Sequence, residues 1–194
     1  MRALGMRRII AFYLAMSAVA FAALGGRGDL EALIPWTIQD AGIALLFGVS
    51  VGFGVVALSR VAANSFPWAA ALTEEFRALV GDLNHREVLI AAALSSVGEE
   101  VLFRGVLQPA LGLWIAAAIF GILHIGPNRR FIPWTIMAFA AGLIFGGMFM
   151  WSGSLLAPIL AHFTVNYLNL RYLAQGNAPA IQLGPAGSER VSGY

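Results

Sequence analysis

Cysteine is absent from this 194-residue chain. That removes disulfides, thiolate-bound zinc and a cysteine nucleophile together. Lysine is absent too: all 12 basic residues are arginine, set against 10 acidic ones, for a formal net charge of +2. So small and scattered an excess points away from a nucleic-acid partner. Charge of either sign is scarce, at 11% of the chain, where a soluble domain carries about 25%. No HExxH segment occurs, so the helical zinc-protease signature is missing. What remains is 59% hydrophobic, with a mean hydropathy of +0.79. This is the composition of an integral membrane protein.

Hydrophobic runs near the length needed to cross a bilayer, about 20 residues, fall at roughly 9–25, 40–59, 87–109, 111–127, 132–150 and 154–174. They predict an all-α polytopic transmembrane bundle of about six spans, forming a single membrane-embedded domain over 1–174. The remaining stretch, 175–194, is rich in Gly, Pro and polar residues and predicts a flexible tail. Only "QPALG" separates the third and fourth spans, which predicts a tight hairpin. If the spans alternate, Arg2, Arg7, Arg8, Arg60, Arg77, Arg86, Arg129, Arg130, Arg171 and Arg190 share one side, and Arg27 stands alone on the other. The positive-inside rule then puts both termini in the cytoplasm. Trp36, Trp68, Trp114, Trp134 and Trp151 fall near span ends, where the indole ring favours the interface.

Several stretches admit two readings. "MRALGMRR" and the apolar run behind it also resemble a signal peptide, although the arginine alternation favours a retained helix. Residues 66–82 mix apolar and charged groups at helical spacing, as in a helix lying on the cytoplasmic surface or a solvated connector. Gly48 and Gly52, like Gly142 and Gly146, stand four apart, a spacing that lets membrane helices approach closely.

Most ionisable residues fall in loops or at span ends. Glu99, Glu100, Arg104, His124 and His162 do not. A charge at mid-bilayer costs about 2.5–3.5 kcal/mol even on lenient insertion scales, so these groups must face one another or a polar interior. Glu100 and Arg104 stand at i and i+4, acid first, the favourable order for a helical ion pair. Glu99 lies about 100° round the helix from Glu100, with Phe103 rather than a base at i+4. A buried carboxylate without a cation has the profile of a general acid or base, and equally of a proton relay. "FGILH" puts Phe120 and His124 on one helix face, and "HFTVN" does the same for His162 and Asn166. Three chemistries could use this set. Glu99 and His124 could activate a water while His162 and Asn166 stabilise an oxyanion. Two histidines and a glutamate could hold zinc. The groups could also pass protons or ions.

In order, "EEVLFRG", "FGILH" and "HFTVN" resemble the EExxxR, FxxxH and HxxxN motifs of the CPBP family of intramembrane proteases. That family includes the type II CAAX prenyl endopeptidases and the bacterial Abi proteins. The resemblance covers a motif-bearing core of roughly 87–170, and the first 85 residues carry no motif. It implies a glutamate-dependent endopeptidase with no metal cofactor, acting on a membrane-associated peptide or protein. By position, Glu99 would be the catalytic glutamate and His124 its helper in activating water. His162 and Asn166 would be the oxyanion pair, Glu100 and Arg104 the supporting ion pair, and Phe120 a pocket wall. The family was once described as zinc-dependent; the missing zinc motif fits the glutamate mechanism. The chain has fewer predicted spans than eukaryotic CAAX-cleaving members, which points away from a prenylated substrate. Its arginine-only composition suggests a high-GC bacterium and hence the bacterial cytoplasmic membrane. Bacterial relatives are linked to peptide maturation, bacteriocin self-immunity and processing of C-terminal sorting tags. A non-enzymatic transporter, immunity or scaffold protein and a zinc peptidase of similar architecture stay open as alternatives.

One geometric demand follows. Glu99 lies about 12 residues, roughly 18 Å, from the cytoplasmic end of its predicted span, whereas His124 comes near the cytoplasmic end of the next. Contact between them requires offset or tilted helices.

Overall fold

The computed structural model describes residues 2–33 and 37–175. Trp36, Arg190 and the rest of the tail from 176 onward lie outside the described residues. Every regular element among the described residues is helical: α1 (Arg2–Gly26), α2 (Ile38–Ser65), α3 (Pro67–Val80), α4 (His85–Glu100), a π-helical turn (Val101–Leu107), α5 (Gln108–Leu111), α6 (Leu113–Leu123), α7 (Ile132–Ser152) and α8 (Leu156–Ala174), with short 3-10 turns at Leu30–Leu33 and Arg129–Phe131. The protein is an all-α helical membrane bundle.

Its inside and outside follow lipid rather than water. On α2, Leu46, Phe53 and Leu58 are exposed, as befits side chains that face acyl tails. The buried stripe is small instead: Ala44, Gly48, Gly52 and Val56, at a strict spacing of four. This stripe packs on α8. A Cβ added at Gly48 would lie 2.5 Å from the Ala157 carbonyl oxygen, and one at Gly52 would lie 2.6 Å from Thr164 Cβ. Hydrogen side chains alone permit that approach.

Three stretches, Gly5–Gly26, Ile38–Ser65 and Arg129–Ser152, are long and apolar enough to cross a membrane. The other predicted spans are built differently. The third, expected over 87–109, is a continuous helical run from His85 to Leu111 in which a π-helical turn joins α4 to α5. The fourth shortens to the 11 residues of α6. The sixth, α8, is 19 residues long and carries His162, Asn166 and Arg171.

Local signals set the boundaries. Asn84 and Glu87 form a reciprocal capping box that starts α4, with Glu87 Oε2 accepting from the Asn84 N–H at 2.8 Å. Gly112 adopts φ 83°, the left-handed turn that closes the expected "QPALG" hairpin. α3 begins with Pro67 in its first turn and buries Ala69 and Leu72, so most of the stretch 66–82 is a packed amphipathic helix, Pro67–Val80. Trp68, Trp114, Trp134 and Trp151 all sit at helix ends.

The required offset is present. Arg104 reaches the Gly142 carbonyl and Gln108 reaches that of Gly146, so α4 and α7 run parallel with 104 beside 142. On that register Ile132 stands about level with residue 94. α4 therefore extends roughly 14 Å beyond the start of α7. The α6–α7 connection is recessed, and His124 arrives at the depth of Glu99.

Candidate active site

Glu99 and Glu100 end α4, at 7% and 0% exposure, and Arg104 follows one turn later at 2%. Glu100 is the hub of the group. Its Oε1 accepts from Arg104 Nη1 at 3.1 Å and from His162 Nδ1 at 2.7 Å. Arg104 donates its other Nη to the Gly142 carbonyl at 3.2 Å, and its Cζ lies 4.7 Å from the Phe120 ring centroid. The ion pair expected from the i, i+4 spacing is real, and Glu100 also holds His162 from behind.

Glu99 turns away from that network. Its Oε1 accepts from the Tyr13 hydroxyl at 2.9 Å. Its Oε2 is buried and takes no hydrogen bond among the described residues. This oxygen faces His124 Nε2 at 3.7 Å and His162 Nε2 at 3.8 Å.

Both imidazoles are fixed from their far side. His124 is the C-cap of α6, and its Nδ1 lies 2.6 Å from the Phe120 carbonyl oxygen. A carbonyl only accepts, so Nδ1 carries the hydrogen and Nε2 is bare in the neutral ring. The Glu100 carboxylate imposes the same tautomer on His162. With both rings neutral, three lone pairs face one another across gaps too long for direct hydrogen bonds. Such a trio needs a proton donor between its members.

Asn166 lies one turn beyond His162 on α8 and donates from Nδ2 to Ser95 Oγ at 2.9 Å. A cavity of about 340 Å³ begins at His124, His162, Phe120 and Asn166 and runs past Ser59, Arg60 and α3 to Leu173. Trp68, Leu72 and Phe76 of α3 form one wall. The cavity therefore opens toward the end of the bundle that carries Arg60, Arg77 and Arg86. Glu99 does not line it; the two imidazoles stand between the carboxylate and the cavity.

Residues 84–168 match the family of type II CAAX prenyl endopeptidases, Rce1-like. YpbD, an uncharacterised protein of Bacillus subtilis (strain 168), is 32% identical over 139 residues, a match covering 68% of this chain and 69% of YpbD. The chain belongs to the Rce1-like family. No solved structure matches it. Membership makes this a chain of a membrane-embedded protease family.

Within this Rce1-like chain, Glu99 faces His124 and His162 at 3.7 and 3.8 Å, Glu100, Arg104 and Phe120 surround them, and Asn166 is held one turn away. Zinc would require ligand atoms about 2.0–2.2 Å from one point. Among the described residues, no group of three or more His, Cys, Asp or Glu side chains could hold a metal ion.

Two contacts are not foreseen from the motifs. Ser95 precedes Glu99 by four and was legible as a same-face polar neighbour. Tyr13 lies 86 residues from Glu99, on a helix that carries no motif. Its one signal was a hydroxyl-bearing ring in mid-span, which in an apolar interior needs a partner.

Proposed function

We propose that this chain is an endopeptidase of the bacterial cytoplasmic membrane. It hydrolyses a peptide bond of a membrane-associated peptide or protein with a water activated by Glu99 and His124. The convergence of Glu99 Oε2 with the Nε2 atoms of His124 and His162, at 3.7 and 3.8 Å, carries the reading.

A water seated between Glu99 and His124 donates one hydrogen to each, which turns an oxygen lone pair toward the cavity. That oxygen attacks the carbonyl carbon as its proton passes to the carboxylate or the ring. The same proton goes on to the leaving nitrogen as the C–N bond breaks. The oxyanion formed in between needs donors. Asn166 supplies Nδ2 by exchanging Ser95 for substrate, and His162 supplies Nε2–H in its protonated form. Glu99 and Glu100 against Arg104 and an imidazolium balance in charge, the condition under which a buried ionic cluster is tolerated. The apolar cavity admits a short greasy stretch of peptide, entering from the arginine-rich end.

The test uses purified protein in proteoliposomes with a library of lipid-anchored, internally quenched peptides, and cleavage is read by mass spectrometry. Glu99→Gln is expected to fold at normal yield and lose about 10²–10⁴-fold in rate, the usual contribution of a general base. Full activity in that variant would falsify the assignment. Activity is expected to survive a zinc chelator. Loss in chelator, with recovery on adding zinc, would hand the chemistry to a metal. Proton flux with no cleavage of any peptide would favour a transporter.

A further inference from the structure

We infer that Tyr13 is a positioning residue for Glu99, so that α1 completes the site rather than merely anchoring the chain. The inference rests on Glu99 being the base.

A glutamate has three rotatable bonds and two equivalent oxygens. To serve as a base it must present one oxygen to the imidazoles and hold it there. The neighbouring ion pair does not do this, because the Arg104 guanidinium donates to Glu100 and to Gly142. Among the described residues, the hydrogen bond from Tyr13 at 2.9 Å is the one that Glu99 takes. It occupies Oε1 and leaves Oε2 for His124 and His162. The choice of donor matters. An arginine here would fix the carboxylate and also neutralise it. A phenol fixes it without adding a counter-charge.

The backbone is arranged to permit this contact. Gly98 immediately precedes Glu99, and a Cβ there would lie 2.6 Å from Ser17 Oγ and 2.9 Å from Met16 Cε. Glycine here lets those two side chains pack close against α4, with the Tyr13 carbonyl oxygen at an ordinary contact distance of 3.6 Å. Further along, Ala20 and Leu24 are 0% exposed and pack with Val101 and Leu155. At the end of α1, Arg27 donates to the carbonyls of Gly105 and Val106 at 2.6 and 3.1 Å. A helix fastened at three levels holds Tyr13 in register. Tyr13 lies outside residues 84–168, where the family match falls.

Tyr13→Phe removes one oxygen and nothing else. We expect unchanged yield and Tm in detergent, a kcat lowered about 10–100-fold, the scale of a misplaced catalytic group, and a KM within about twofold. In a Glu99→Gln background the same change should have no further effect on residual rate. Infrared difference spectra of ¹³C-glutamate-labelled protein, with the Glu99→Gln spectrum subtracted, should show the Glu99 carboxylate band displaced in Tyr13→Phe. A normal kcat with an unmoved band overturns the inference. So does a fall in Tm with kcat and KM changing together, which is how a packing residue would behave. If the wild type cleaves nothing while the band still moves, Tyr13 holds Glu99 but the hydrolytic reading fails.

Discussion

Glu99 and Glu100 are adjacent in sequence and opposite in circumstance. Glu100 is fully buried against a guanidinium and an imidazole; Glu99 has a phenol on one oxygen and two imidazoles facing the other. The second glutamate and Arg104 make the site tolerable in a membrane interior. Removing one partner of such a pair strands the other, at about 3–5 kcal/mol. Arg104→Ala should therefore lower Tm in detergent sharply, and adding Glu100→Gln should recover part of the loss. An Arg104→Ala protein of normal Tm but no activity would instead give the guanidinium a part in the chemistry. Legibility followed chain separation. Glu100 to Arg104 is one helical turn and could be read from spacing. Glu100 to His162 and Glu99 to Tyr13 join separate helices, and no local pattern encodes which oxygen meets which ring.

At the scale of helices, the glycine stripe was readable and what it touches was not. Gly52 and Gly54 look alike in sequence, yet a Cβ at Gly52 meets Thr164 and the Ala161 carbonyl oxygen, while one at Gly54 meets nothing within 4 Å. Gly52→Ala should thus cost about 1–3 kcal/mol, as overpacking does. Gly54→Ala should be neutral or stabilise by up to about 1 kcal/mol through helix propensity. Thermal unfolding of the two variants in one detergent separates them, and equal Tm values would refute the α2–α8 packing. Other features lay beyond periodicity. The π-helical turn over Val101–Leu107 has no distinct sequence signal, and α6 ends at Leu123, earlier than the predicted end of that span at 127. α3 is tied across the cavity by Arg130, which donates to Glu75 Oε1 at 2.6 Å, and by Asn128, which donates to Oε2 at 3.2 Å. These bonds hold the Glu75 carboxyl below the usual carboxylate range. A depressed carboxyl contributes stability above its unfolded value and loses it as pH falls through the folded one. Exchange protection of α3, corrected for intrinsic rate, should therefore be flat from about pH 5 to 8 and drop only in stronger acid. Glu75→Ala should speed that exchange across the whole range; unchanged rates would show that α3 is held by its apolar face alone.

For the molecule as a whole, the arginines predict which end would face the cytoplasm, and the structure ties them to the chamber. Arg60 donates to the Leu168 carbonyl, Arg130 to Glu75, and the His85 ring meets that of Tyr167. The ends of α2, α4 and α8 and the whole of α3 therefore gather at one end. Arg27 sits at the opposite end, against Gly105 and Val106. The chamber opens at the arginine-rich end, so the positive-inside rule predicts a cytoplasmic mouth. The absence of cysteine makes this directly measurable, because any single introduced thiol is the only one present. Gln39 and Asn64 are exposed at opposite ends of α2, about 25 residues or roughly 38 Å apart, more than the hydrocarbon thickness of about 30 Å. In intact bacterial cells a membrane-impermeant maleimide should label Gln39→Cys at once and Asn64→Cys only after permeabilisation. The reverse pattern would turn the bundle over and put the chamber mouth outside the cell. A substrate presented from the cytoplasm could then not reach Glu99.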